Sequence, residues 1–156
     1  VECFPSKQSK VSVYIKNPID ISNPHLHRVL TNKSKQPFNL LNIGNNHLCI
    51  KMQSISKVDL AKIYKELPKS AKDIEINLSI YKKEKNKISI RTYENGVGET
   101  LSCGSASLSV ASIFINKAKG PIEVSSFGGK LNFRKYNDGI LMAGPTSFIF
   151  KGNIDG

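Results

Sequence analysis

The apolar side chains of this 156-residue chain change period several times along its length. From Lys10 to Lys16, Val11, Val13 and Ile15 alternate with Ser12 and Tyr14, the period of a strand with one buried face. Residues 1–10 are polar and read as the tail of an element that began upstream. Asn17-Pro18 then turns the chain into a loop expected to reach about Pro37. Phe38–Ile43 and Leu48–Met52 read as two further strands around the polar break Gly44-Asn45-Asn46-His47. Across Ser56–Leu67, the spacing of Leu60, Ile63, Tyr64 and Leu67 predicts an amphipathic helix, capped at Ser56 with Asp59 three residues on and ended by Pro68. Ile74–Lys82 and Ile88–Tyr93 read as a hairpin with a charged turn around Glu84–Asn86. Four short strands are expected near Ile122–Ser125, Lys130–Arg134, Ile140–Met142 and Ser147–Phe150. Their separators, Phe127-Gly128-Gly129, Asn137-Asp138-Gly139 and Gly144-Pro145, are turn-forming.

One stretch departs from this alternation. Between Ala106 and Ala118 the apolar residues Leu108, Val110, Ala111, Ile113, Phe114 and Ile115 leave no polar side, and the residues between them are mostly small serines. A helix apolar all round is buried all round, and this one is too short to cross a bilayer. Gly120 and Pro121 stop it. Its entry is a glycine-rich loop, Gly96 and Gly98, that delivers Cys103 to the first turn, followed by the small residues Gly104 and Ser105. A helix N-terminus offers unpaired N–H groups and partial positive charge, so it seats carboxylates and phosphates and favours a thiolate. The alternative is a small buried cysteine ahead of a core helix.

Composition narrows the classes. The length suits a single domain, read as residues 1–156, with no linker, repeat or low-complexity segment. The chain begins at Val1 and shows neither a secretory signal pattern nor a transmembrane run. Cys3, Cys49 and Cys103 are odd in number and unrelated in spacing, which argues against a disulfide framework and for a reducing cytoplasm, the expected location, and no grouping has zinc spacing. The net charge of +11 raises nucleic acid as a partner, but the cations are overwhelmingly scattered lysines, with only Arg28, Arg91 and Arg134 as arginines. A solvated lysine surface accounts for that distribution better.

The loop before the helix, G-V-G-E-T-L-S-C-G-S at 96–105, resembles the C-terminal signature of diaminopimelate epimerases, which are cofactor-independent amino-acid epimerases. G-N-N-H at 44–47 resembles the family's G-N-P-H, and I-N-L-S at 76–79 its second asparagine-bearing strand. F-G-G-K-L at 127–131, and M-A-G-P at 142–145 followed by F-I-F-K-G-N-I-D, resemble its closing strands. The likeness runs from about Val11 to Asp155. It implies an α+β fold in which a mixed, curled, barrel-like sheet encloses a central buried helix. Members have two such domains with the site between them, so this chain is expected to be the C-terminal half alone, the N-terminal half with its own cysteine being absent.

The resemblance also implies chemistry. Two thiols on opposite faces of an amino acid's α-carbon exchange its proton without a cofactor or metal. Cys103 would be one of that pair. His47 and Glu94 match residues that orient and assist proton transfer. Gly104 and Ser105 would hold the carboxylate at the reacting centre, and Asn45 and Asn77 the far amino and carboxylate groups. Expected partners are a small amino-acid substrate, the missing half and a second copy in a homodimer, with no nucleic acid and no membrane. Taken singly, an asparagine at a strand end is more often a turn residue, and a lone histidine more often structural. His25 and His27 lack a preceding strand and a third ligand, and read as loop residues.

Asn95 departs from the family, which carries arginine after the glutamate to clamp the substrate's distal carboxylate. An amide lacks the cationic fork. Asn46 for proline and Ala106 for glycine are milder changes. The expected activity is interconversion of LL- and meso-diaminopimelate. The alternatives are a related racemase of another amino acid and a non-catalytic basic binding module.

Overall fold

The computed structural model describes residues 2–6, 10–33, 35–147, 149 and 152. Its frame is one mixed sheet of eleven strands. In chain order these are β1 (Glu2–Ser6), β2 (Lys10–Lys16), β3 (Ile19–Asp20), β4 (Phe38–Asn42), β5 (Asn46–Lys51), β6 (Asn77–Glu84), β7 (Lys87–Glu94), β8 (Gly98–Thr100), β9 (Ile122–Ser126), β10 (Gly129–Tyr136) and β11 (Gly139–Pro145). The helices are α1 (Pro24–Lys33), α2 (Leu60–Glu66), α3 (Lys69–Lys72) and α4 (Gly104–Ile115). Spatial order is β1-β2-β11-β10-β9-β7-β6-β5-β4-β3, with β8 paired to the end of β7. The path is open: β1 and β3 are its edges, so the barrel-like element of the expectation is not a closed ring of strands.

Among the described residues, only β5–β6 and β7–β9 are parallel pairs. Parallel neighbours need a long crossover connection, usually helical. The first crossover carries α2 and α3 and the second carries α4, and they cover opposite faces of the sheet. α4 contributes Ala106, Leu108, Val110, Ala111 and Ile115 to a core shared with Cys49, Tyr81, Ile88, Ile90, Ile122, Val124, Phe133 and Ile140. The other face packs Leu48, Ile50, Leu78 and Ile80 against Leu26 and Leu30 of α1, Leu60 of α2 and Ala71 of α3. The period of two therefore sorts each central strand between two cores, which is why β5 and β6 read as nearly continuous apolar runs.

Several expectations need correcting. Residues 17–37 are not a loop throughout. They contain β3 and the ten-residue α1, so His25 and His27 stand on a helix. Asn23 caps α1 by accepting the Leu26 N–H at 2.8 Å, and Pro24 occupies the first helical position, where its missing N–H costs nothing. α2 starts at Leu60, not Ser56, because Asp59 is the cap and accepts the Lys62 N–H at 2.9 Å. The carbonyls of Ile55 and Val58, ahead of that cap, accept from the Arg91 guanidinium at 2.5 and 2.9 Å. α3 and β8 were not expected, and the polar start contains β1, paired antiparallel with β2. The expected strand Ser147–Phe150 includes Phe148 and Phe150, and the run ending at Asp155 falls largely, like them, outside the described residues.

Candidate active site

Strand register brings three side chains of the expected set into one row. His47 of β5 lies beside Asn77 of β6, and Leu78 pairs with Tyr93, which continues the row to Glu94 of β7. All three point to the α4 face, because Cys49 and Tyr81, two and four positions further on their strands, pack in the α4 core. Asn77 is 7% exposed and uses both ends of its amide. Its Nδ2 donates to the Asn46 carbonyl at 3.2 Å, and its Oδ1 accepts the Asn95 N–H at 2.9 Å. It joins the 44–46 turn to the loop after Glu94.

That loop is shaped by its glycines. Gly96 (φ 75°) and Gly98 (φ 106°) lie in the left-handed region that other residues avoid. They reverse the chain from β7 into β8, so that Thr100 returns opposite Thr92. The Thr100 hydroxyl donates to Glu94 Oε1 at 2.6 Å and fixes that carboxylate.

Cys103 is the N-cap of α4, with extended backbone (φ −137°, ψ 114°), and its carbonyl accepts the Ser107 N–H at 3.0 Å. The thiol is partly buried and unpaired by any disulfide. Its Sγ lies 3.3 Å from Ser105 Oγ. Asn45 Nδ2 stands 3.5 Å from the same hydroxyl, and Asn45 Oδ1 is 3.0 Å from His47 Nε2. With the Ser105 oxygen accepting from Asn45, its proton is directed at sulfur. A Cβ added at Gly104 would meet nothing within 4 Å, so the space before that residue is open. A cleft of about 300 Å³ adjoins it, lined by Ser102, Gly104, Ser107 and the Gly128–Gly129 turn.

The electrostatics overturn one local expectation. The Cys103 thiol is pushed up rather than down, first by burial and further by the neighbouring Glu94 carboxylate. Hydrogen bonds from Ser105 and the Ala106 N–H pull it down but do not prevail. Burial also depresses His47 from its ordinary 6.5 to about 4, against the opposing pull of Glu94. The ring is therefore neutral near pH 7. With Nε2–H donated to Asn45, Nδ1 is a buried acceptor with no partner among the described residues. Cys49 is fully buried, and its thiol is pushed up to about 12, so it stays protonated.

Cys103, Ser105, Asn45 and His47 thus form one connected group, with Glu94 and Asn77 in the row beside it. Asn95 stands at its edge, exposed, its Oδ1 accepting from the Tyr64 hydroxyl at 2.6 Å, and Tyr64 stacks on Tyr93 at 4.3 Å. Thr100 and Tyr64 were not anticipated, since both enter through cross-strand or helix–strand contacts. His25 and His27 lie elsewhere, on α1, and His27 packs on Phe38. No cluster of three metal-ligating side chains occurs among the described residues. No helix among the described residues is long and apolar enough to cross a membrane.

Comparison with known proteins finds relatives in both fold and sequence. A structure of a phenazine biosynthesis PhzC/PhzF protein from Clostridium difficile matches the fold with a TM-score of 0.60 and 15% identity, covering 96% of this chain and 59% of that one. A diaminopimelate epimerase of Methanocella arvoryzae is 33% identical over 120 residues, covering 74% of this chain and 43% of the relative. An O-ureido-serine racemase of Streptomyces lavendulae is 26% identical over 123 residues, covering 75% and 43%. The chain spans about half the length of the curated relatives it matches. The family model described as diaminopimelate epimerase matches residues 39–149, well over half of the chain, and includes every residue of the site above. The chain belongs to the diaminopimelate epimerase family.

Proposed function

We propose that this chain is the C-terminal half of a cofactor-independent, two-thiol amino-acid epimerase that interconverts LL- and meso-diaminopimelate, with Cys103 as one of its two acid/base groups. The observation that carries the reading is the Cys103 thiol at the mouth of a buried helix, joined through Ser105 and Asn45 to a neutral His47 and flanked by Glu94. In this account one thiolate removes the α-hydrogen and becomes a thiol, while the opposite thiol donates its proton to the other face of the carbon and becomes the thiolate. The burial that raises the Cys103 thiol favours its protonated form. The Ser105 hydroxyl and the first N–H groups of α4 stabilise its thiolate when it has given up the proton. The open N–H groups at Gly104 and Ser105 hold the substrate carboxylate, where charge grows in the transition state.

One thiol cannot work on both faces of a carbon. The partner thiol is assigned to a second half that covers this surface, a role consistent with Val97, Leu101 and Phe127, which are 75, 69 and 69% exposed. The curled enclosure of α4 by the sheet belongs to the same proposal. The test is exchange of the substrate α-hydrogen with D2O. The complete two-half protein exchanges it, and the 156-residue chain by itself does not. Exchange by the chain alone at the rate of the complete protein would end the two-thiol reading.

A second reading has its own observation. The Asn95 amide, held by Tyr64, offers the distal end of a substrate a neutral N–H where a guanidinium is expected. That suits an amino acid with an uncharged side-chain acceptor, and one relative bears the name of a racemase of a different amino acid. The ratio of kcat/KM for LL-diaminopimelate to that for monocarboxylate amino acids decides between the two. Diaminopimelate is expected to win, and Asn95→Arg to change its KM modestly. Turnover of a monocarboxylate alone would replace the substrate assignment.

A further inference from the structure

The face of the sheet away from α4 carries a side chain whose hydrogen bonds converge on the segment leading to Cys103. Arg91 of β7 is one position out of phase with Thr92 and Glu94, so it projects to the α2 face. Its guanidinium forms a fork with the Glu99 carboxylate, Nε to Oε1 at 2.6 Å and Nη2 to Oε2 at 2.9 Å. The remaining nitrogen donates to the carbonyls of Ile55 and Val58 at 2.5 and 2.9 Å, with Ser56 at 3.4 Å. The side chain is 11% exposed, and the ring of Phe127 lies 5.9 Å from its centre. One cation thus joins β7, β8, the 55–58 loop and the turn at residue 127.

Glu99 is followed by Thr100, which faces the other way and holds Glu94. Two residues beyond Glu99, the Leu101 carbonyl accepts the Gly128 N–H at 2.7 Å. Gly128 has no room to spare there. A Cβ on it would stand 2.9 Å from Ser102 Cβ and 3.1 Å from the Leu101 oxygen. The five residues Glu99–Cys103 are therefore pinned at Glu99 by Arg91 and at Leu101 by Gly128, and they end at the thiol. Exposed Ser102 and half-buried Cys103 run between the second pin and the helix, and of the two Cys103 packs on the α4 core.

We infer that Arg91, acting from the opposite face of the sheet, and Gly128, beside the cleft, are positioning residues for the Cys103 loop that hold both the thiol and the Glu94 carboxylate in register. The fork suits the task because a planar, two-point contact fixes orientation as well as distance. A lysine keeps the charge but makes a single-point contact. A displacement of about 1 Å at a reacting group is enough to cost roughly a hundredfold in rate, so partial loosening is expected to cost roughly tenfold.

The test uses the complete protein with Arg91→Lys and, independently, Gly128→Ala, which pushes on Ser102 without touching the ion pair. Iodoacetamide labelling is read peptide by peptide, so that Cys103 is followed separately from exposed Cys3 and fully buried Cys49. Cys49 serves as the internal control for a closed core. Both variants should label Cys103 several-fold faster than the wild type while Cys49 stays protected. In the same variants kcat should fall roughly tenfold with KM within about twofold, the split expected when an interaction of the reacting groups is disturbed. Unchanged Cys103 labelling in both variants would overturn the inference. So would joint labelling of Cys49 and Cys103, which reports general loosening, or faster Cys103 labelling with kcat unchanged. The catalytic arm rests on the two-thiol reading and the labelling arm does not. A wild-type protein without racemase activity would therefore fail that reading alone, and the labelling would still decide the clamp.

Discussion

The two faces of the central strands obey different rules. On β6, Leu78 and Ile80 point to the α1/α2 side, and Asn77, Ser79 and Tyr81 to the α4 side. The first face is buried mainly by apolar contact, with the Arg91–Glu99 pair at its margin. The second buries His47, Asn77, Ser79, Thr92, Ser107 and Ser109, a concentration of polar groups that a core chosen for stability alone would avoid. Ser79 and Thr92 satisfy one another at 3.1 Å, directly behind the His47–Asn77–Glu94 row. His47 Nδ1 and Ser109 Oγ have no partner among the described residues. The comparison teaches where to look: one sheet supplies both surfaces, and chemistry collects on the one that departs from good packing.

The largest expected effect strikes the apolar face. Leu78 is completely buried, and Leu78→Ala should destabilise the protein by about 2–5 kcal/mol in urea unfolding, through lost burial and the cavity left behind. The folded fraction should keep its kcat. A loss of kcat in fully folded protein would break the separation of the two faces.

Next comes the titration of His47. Its value in the fold is depressed from 6.5 to about 4, so the unfolded chain takes up a proton first as pH falls. The associated stability is fully present above about pH 6.5 and lost towards about pH 4, amounting to ~3 kcal/mol. His47→Gln should flatten the fall in unfolding free energy across that window. An identical fall in both proteins would show that His47 is not the group held neutral.

The smallest effect is expected from Thr100→Val, which removes the hydroxyl from Glu94 at similar volume. Losing a hydrogen bond to a charged group should lower kcat/KM by an amount corresponding to about 1.5–3 kcal/mol, with far less change in unfolding free energy. An effect confined to stability would place Thr100 with the packing rather than with the site.

How much of this could be read from the chain depended on how local the signal was. α4 was legible because Leu108, Val110, Ala111 and Ile115 leave no polar stripe, β2 because its alternation is regular, and β4 and β5 because their short apolar runs flank a polar break. α1 was not. Asn23-Pro24 reads as a turn, yet the same two residues serve as a cap and first helical position, and only the burial of Leu26 and Leu30 against a distant strand selects the helix. The start of α2 was displaced from Ser56 to the cap at Asp59, and Arg91 binds the carbonyls ahead of it from more than thirty positions away. Within the site, Cys103 and the glycine turn were visible as a motif. Thr100 and Tyr64 depend on register and helix placement, which no local pattern carries. The thiol shows the limit most clearly. A helix N-terminus argues for a lowered value, and burial beside Glu94 reverses the sign.

The central claim is that Cys103 exchanges a proton with the substrate α-carbon. The most direct measurement is incorporation of deuterium at that carbon by the complete protein in D2O, with wild type and Cys103→Ser compared at equal folded concentration. The serine hydroxyl keeps the shape of the side chain but is a far weaker acid. The account predicts that α-deuteration and epimerisation fall by roughly 10²–10⁴-fold, the contribution of a positioned acid/base group, with the unfolding transition unchanged. Wild-type rates in the Cys103→Ser protein would contradict it.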